Sequence, residues 1–525
     1  MTSPPKNGDE AHPPLNALTL AGWWVAVPLL LSFFPLGLFL GGGSTWNRAF
    51  AIGTLFLSSC IAVLCLRLRR PRMAWGFLIP GYILLIINQW DFGMLVVAIS
   101  GHEHAWALLG LDLILAATLF FISRKRGWAL MLILPFASTM AHVFCAGLVW
   151  SYMVWPPSAE SCGAYEEQPG VVWMTRNDPL YFGSDVVVAG DGSRVALISK
   201  VWHDTFFGGL FAYHTPGLGL IDTADPKPGE TRKVRIVRVP AEAMPGYILQ
   251  DNQGRIAMTL IHFRAEHAVG IVDGTMSETP RFAHLVKIPQ TEDPLEPNGI
   301  FLDGDDIVVF GHDKTDQFFL EPHDVGDMMW IDSKELVPLD RWQAPSFDEQ
   351  AERVRHNMRL DYIKADEDHV LMSTIGGLII DFNLRTKKAR PFREILPGAG
   401  AALDLDSKTQ LIAVSDILFH RIHIVDRKTE RLVRTVDLDM GPRPVRWAGE
   451  HGLVLAGSFV TGDIVAYPSD EGATQVGPTV RVGGYLRRLK YDAPSGSVYA
   501  ASKCGLFRID LEEAFGAQRT PAAGP

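Results

Sequence analysis

Cysteine is scarce in this chain, with five in 525 residues, too few for a domain framed by disulfides. Common catalytic signatures are missing too. There is no Gly-x-Ser-x-Gly elbow, no His-Glu-x-x-His helix, no phosphate-binding glycine loop and no Cys-x-x-Cys. Gly41-Gly42-Gly43-Ser44 is a loop glycine run, not a phosphate cradle. The twelve His residues beyond Trp155 give no recognisable ligand spacing, and His420 and His423 are expected on opposite faces of one strand. Basic runs are absent from the acidic second part, which argues against nucleic acid as a partner.

What is present is unevenly spread. Up to Trp155 nine Lys/Arg face five Asp/Glu, a net of +4, and the remainder carries −14. Five apolar stretches in the first part are long enough to cross a bilayer, which takes about 20 helical residues. They run approximately Asn16–Leu40, Arg48–Leu66, Met73–Ser100, His104–Phe121 and Trp128–Trp155. Four spans after the first exclude a simple cleaved signal peptide. Arg67, Arg69, Arg70 and Arg72 lie between spans two and three, and Arg124, Lys125 and Arg126 between spans four and five. Short basic loops stay in the cytoplasm, so the expectation is a multi-pass protein of the cytoplasmic (inner) membrane. Its N-terminus is cytoplasmic, its C-terminal domain is periplasmic or extracellular, and lipid is an implied partner.

Polar groups inside spans are costly and either paired or functional. Asn88 and Asp91 share a helix face in span three, Asp112 lies in span four and His142 in span five. At about 1.5 Å rise per residue, the last three reach similar depth. Three readings stay open: a proton-handling or metal-binding cluster, a hydrogen-bonded knot holding three helices, or a span three that breaks at Asn88 and leaves Asp91 in the interface. The outer-loop His102-Glu103-His104 reads as a headgroup-level loop more readily than as a metal site.

From Ser158 the pattern becomes short Val/Ile/Leu-rich runs punctuated by Gly, Asp and Asn turns, with one helical stretch near Phe347–Arg355. A recurring strand end, an aliphatic residue and then Asp, appears at Asp222, Asp273, Asp332, Asp381, Asp426 and Asp510, with Ala466-Tyr467 in the remaining slot. Asp suits that place because it caps the backbone of a turn. Upstream of most of these ends lies a turn and a β-rich strand, as in Asp191-Gly192-Ser193 before Arg194–Ser199. A period of roughly 40–50 residues with four strands per unit indicates propeller blades, here seven. After Asp510 no fourth strand remains for the last blade. Gly170–Arg176 is a strand-like run that would complete it and close the ring. Cys162 and Cys504 flank that closure and read as a disulfide, whereas Cys60, Cys65 and Cys145 fall in spans.

Leu411–Tyr467 resembles the YVTN-type repeat of YncE-like propellers in the WD40-like superfamily, with Val425-Asp426, Arg427–Glu430, Val433–Val436 and Gly441-Pro442 at the pattern's places. Such a resemblance implies a fold and little chemistry. Pro297-Asn298-Gly299 is similar to a segment of gluconolactonase-like propellers in which Asn joins a divalent-cation site. In that resemblance Asn298 and Asp416 are the candidate ligands for a calcium ion. Calcium favours six or more oxygens, so two candidates do not complete a site, and Asn298 also reads as a turn residue.

The expected organisation is an N-terminal tail (1–15), a helical transmembrane domain (16–155), an all-β propeller (156–514) and a C-terminal tail (515–525). The leading functional expectation is a membrane-anchored extracytoplasmic module that binds a protein or small-molecule ligand, with no cofactor evident. The alternatives are a propeller enzyme, either a metal-dependent lactonase-like hydrolase or a quinoprotein-like oxidoreductase, and transport or proton relay through the spans.

Overall fold

The computed structural model describes residues 157–516, apart from 178–179, 190, 200–216, 228–229, 240–242, 263–266, 290–294, 314–326, 343–358, 375–376, 394–395, 397–399, 418, 440 and 470–474. The five apolar stretches, the polar set Asn88, Asp91, Asp112 and His142, and the helical stretch near Phe347 lie outside the described residues. Among the described residues no helix is long and apolar enough to cross a membrane.

Among the described residues twenty-eight strands form seven antiparallel four-stranded sheets. Six are consecutive in sequence: β2–β5 (183–238), β6–β9 (243–287), β10–β13 (295–342), β14–β17 (359–391), β18–β21 (400–437) and β22–β25 (442–481), blades one to six. The seventh holds β26 (Arg488–Asp492), β27 (Ser497–Ser502) and β28 (Gly505–Asp510), and its fourth strand is β1 (Val171–Trp173) from the start of the domain. β1 pairs Val171 with Ile509 and Trp173 with Phe507. The chain therefore forms a seven-bladed propeller whose last blade takes three strands from the end of the domain and one from its start. Cys162, in a short helix α1 (Ala159–Gly163), is disulfide-bonded to Cys504 with 5.7 Å between their Cα atoms.

Burial explains why the blades need one another. The second strands β3 (Arg194–Ser199), β23 (Leu453–Ser458) and β27 are buried along their whole length, because each face meets a neighbouring blade. One core cluster combines Ile198 and Leu220 of the first blade with Met258 and Val272 of the second. Another joins Phe310 and Trp330 of the third to Met372 and Phe382 of the fourth. The last blade meets the first through Tyr499, Ala501, Val186 and Leu197. Outermost strands are different. β21 (Arg431–Asp437) alternates exposed and partly buried residues, and its charged side chains protect an open sheet edge.

The repeated Asp at or near the end of six of the seven third strands does not have one task. Asp332 and Asp426 accept backbone N–H groups of the following turn. Asp510 does the same for the first turn of α2 (Leu511–Phe515), whose Leu511, Ala514 and Phe515 are buried. Asp222 instead binds Arg194 and Arg235. His420 is not on a strand: it occupies the turn before β20 (Arg421–Asp426) with φ 55°, so the opposite-face expectation fails for it.

Inner strands share one local device. Register shifts mark the starts of β2 (Gly183–Ala189), β6 (Ala243–Gln250), β10 (Leu295–Asp303), β14 (Arg359–Lys364), β18 (Gly400–Leu405) and β22 (Pro442–Ala448). A bulge inserts a residue and re-aims the side chains beside it, here around the ring axis. At Gly299 a Cβ would fall 1.9 Å from the Phe310 ring and 2.5 Å from that of Tyr362. Glycine is needed there because two aromatic rings occupy the space.

Candidate functional site

The seven inner strands wall a cavity of about 440 Å³ on the ring axis, each contributing at least one lining residue. A second, smaller space of about 20 Å³ opens where the inner strands begin, lined by Ser184, Tyr247, Asp361, Arg443, Arg487 and Arg488, among others. Between them lies a layer of ion pairs. Arg488 Nε is 3.1 Å from Asp185 Oδ1 in the neighbouring first blade. Its Nη1 is 2.8 Å from both carboxylate oxygens of Asp361 in the fourth blade, on the far side of the ring. Burial opposes the guanidinium charge, but Asp361 and Asp185 hold its pKa well above the ordinary arginine value.

The same carboxylates also fasten backbones. Asp185 Oδ2 accepts the Ile248 N–H of the second blade at 2.9 Å, and Asp361 Oδ2 the Leu403 N–H of the fifth at 3.4 Å. Asp404 repeats the device one blade on, accepting Trp447 N–H and pairing with Arg446, both at 2.7 Å. Burial raises the Asp404 pKa in spite of Arg446. Tyr362 spans the third and fourth blades, accepting the Ile300 N–H at 2.8 Å and donating to the Ile300 carbonyl. Burial pushes its phenol pKa up.

Charge on the axis runs against that of the domain. Arg443, Arg446, Arg487, Arg488, Lys364 and Lys490 line the two spaces against only two carboxylates, Asp185 and Asp361. Lys364 donates to the Leu302 carbonyl at 2.6 Å. Lys490 is lowered by burial and then by Arg446. Arg443 and Arg487 lie at the mouth. The Arg443 guanidinium sits 4.8 Å over Phe459, and that of Arg487 is 5.5 Å over Tyr485, whose hydroxyl it reaches at 3.1 Å. Phe459 and Tyr485 are themselves 5.1 Å apart, so the two cations rest on one aromatic shelf between blades six and seven. Among the described residues no carboxylate pairs with either guanidinium. Burial, then the repulsion of Arg487, brings Arg443 down to about 10.

The residues singled out by sequence fare differently. Cys162 and Cys504 meet. Asn298 occupies the bulge at the start of β10 in the third blade, its side chain outside the described ones. Asp416 ends the second strand of the fifth blade, β19 (Leu411–Asp416). Its carboxylate is buried, 3.4 Å from His423 Nε2, and accepts the Phe419 N–H. That makes it a turn-holding group of its own blade. Among the described residues no three His, Cys, Asp or Glu side chains gather as metal ligands. The arginines at the mouth were missed by sequence reasoning. Their signal lay in Arg443-Pro-Val-Arg446 and Arg487-Arg488-Leu-Lys490, basic residues clustered at the starts of two successive inner strands.

No protein-family model matches the chain, and no curated protein does. Among solved structures, the WD40 β-propeller domain of Doa1 is 12% identical, the match covering 65% of this chain and 95% of that one, at a TM-score of 0.45. The β-propeller domain of Myceliophteria thermophila Cps50 (Swd1) is 14% identical over 65% and 98%, at 0.46. A chain of the Mitotic Checkpoint Complex is 10% identical over 65% and 89%, at 0.42. Likeness at this level says nothing about ligand or activity, and the seven-bladed ring rests on its own strand pairing.

Proposed function

We propose that the chain is a membrane-anchored, extracytoplasmic binding module of YncE-like type, which takes its ligand on the axis of the ring without transforming it. The observation that carries this reading is the axial cavity of about 440 Å³, walled by all seven inner strands. That volume lies within the range of small-molecule sites, about 300–1,000 Å³, and a side chain of a protein partner fits it as well. The walls are preformed, since inter-blade hydrogen bonds hold the inner strands to one another. A pre-organised wall binds without the cost of ordering loops.

The test is thermal unfolding of the full-length purified protein against a panel of carboxylates, phosphates, neutral sugars and extended peptides. A ligand that binds only the folded state raises Tm with its concentration. At least one member should do so saturably and be recovered unchanged, and Gln250→Trp in the wall should abolish the effect. Recovery of a chemically altered ligand overturns the non-catalytic reading.

Anchoring and orientation rest on the five apolar stretches and the two arginine-rich loops, Arg67–Arg72 and Arg124–Arg126. Alkaline phosphatase fused after Gly516 should be active on the far side of the cytoplasmic membrane. An inactive phosphatase with a bright cytoplasmic fluorescent fusion at the same point would reverse the orientation.

A further inference from the structure

The mouth of the axial channel has chemistry that binding alone does not require. Arg443 and Arg487 come from adjacent blades and rest on touching rings, Phe459 and Tyr485. Stacking fixes the plane of a guanidinium while leaving its N–H edge free to bond. Two like charges held this close and poorly solvated repel one another, a cost relieved when an anion enters between them. The other cation of the mouth is already committed: Arg488 spends its hydrogen bonds on Asp185 and Asp361. Asp361 in turn is engaged by Arg488 and the Leu403 N–H.

We propose that Arg443 and Arg487 form a binding site for an oxyanion group, a carboxylate or a phosphate, carried by a small ligand that enters from this mouth. The inference rests on the reading of the ring as a binding module and gives that module a second site, apart from the larger cavity, with the chemistry of what this site holds. Guanidinium forks match the paired oxygens of both groups, and charge-assisted bonds are the stronger kind. The space beneath the pair, about 20 Å³, accepts little more than the anionic head. The rest of the ligand extends outward from the mouth, because the Arg488 layer closes the path to the larger cavity. Six basic side chains on the axis against three carboxylates, Asp185, Asp361 and the Asp404 that pairs with Arg446, add a field that draws an anion toward an otherwise acidic domain.

Isothermal titration of the full-length protein with inorganic phosphate, malonate and the neutral sugar glucose tests this. Phosphate or malonate should bind saturably, and glucose should not. Arg443→Gln and Arg487→Gln should each weaken anion binding about tenfold or more, as loss of a charge-assisted bond does. Arg421→Gln on the outer rim should leave it within about twofold of wild type. Melting curves establish that each variant is folded, and Arg443→Lys, which keeps charge but loses the fork, should fall between. Binding of phosphate over malonate, or the reverse, identifies which oxyanion the site takes. A folded wild type that binds neither anion, or variants that bind as wild type does, overturns the site. Saturable binding of glucose alone would overturn the anion site and leave the binding module standing. An anion bound through these arginines and then transformed would uphold the site and overturn the non-catalytic reading.

Discussion

Arg488 and Asp361 face each other from blades seven and four, and the arginine Nη1 lies 2.8 Å from both oxygens of the carboxylate. They are 127 residues apart in sequence, and the bond crosses the axis rather than following the ring. With Asp185 as second partner, this arginine ties together blades one, four and seven. Pairing of neighbouring blades cannot supply that tie, because each sheet touches only the next.

Arg488→Met should therefore be severe, since it leaves two carboxylates in a confined space without their counter-charge. Breaking a buried pair in this way costs about 3–5 kcal/mol. Chemical denaturation should show a lower midpoint for Arg488→Met. The triple variant that adds Asp185→Asn and Asp361→Asn should recover much of the loss. A triple variant no more stable than the single one would mean that the arginine acts by packing alone.

The Cys162–Cys504 bond closes a segment with a sequence separation of 342. On the chain-entropy model a loop of that length gives about 5–6 kcal/mol at most, and native β1–β28 pairing already holds the same ends together. Cys162→Ser should lower the denaturation midpoint, and reduction of the wild type should lower it equally. On a non-reducing gel the oxidised wild type should run faster than the variant. Equal mobility and equal midpoints would show that the thiols are not joined in the protein as isolated.

The ring was legible because its cause is periodic. An aliphatic residue followed by Asp, present six times with Ala466-Tyr467 in the seventh slot, marks the third strand of every blade, and Gly170–Arg176 contains the β1 that closes the last blade. Turn chemistry also gave the strand start at Arg194 to the residue. The axial site was not legible. Its residues belong to all seven blades, and what unites Asp185, Asp361 and Arg488 is a position near the start of an inner strand, after a bulge for the two aspartates and at the first residue for the arginine. Hydropathy patterns do not display a bulge, and three charged residues spread across a span of 303 positions form no motif. His420 shows the same limit locally. Its positive φ removes it from the strand that alternation assigned to it.

Asp366 links the fourth blade to the fifth. It receives Arg427 across the gap and His369 within its own turn at 2.9 Å. Burial raises its pKa, but the bonds from Arg427 and His369 outweigh this and bring it down to about 2. A carboxylate depressed in the folded state stabilises it above the unfolded value, near 3.8, and that contribution is lost as pH falls toward 2. Asp366→Asn should thus be less stable than wild type at pH 7, by under about 1 kcal/mol because the group is partly exposed. The two should converge near pH 2. A difference that persists unchanged at low pH would assign the effect to packing instead of charge.

Lys503 presents the opposite case, at the turn beside the disulfide. Its side chain is 7% exposed, and its ammonium lies 5.9 Å over the Phe182 ring. Burial lowers its pKa from 10.5 to about 8. The folded protein holds this proton less firmly than the unfolded chain does, so the lysine costs stability at every pH below about 8. That cost shrinks as pH rises from 8 toward 10.5, where the unfolded chain also releases the proton. Lys503→Met keeps the stem that covers Phe182 and removes the charge. At pH 7 the variant should melt about 2–4 °C above wild type, and the gap should close by pH 10.5. A variant that melts below wild type at pH 7 would mean that the ammonium contributes more through its partners than its burial takes away.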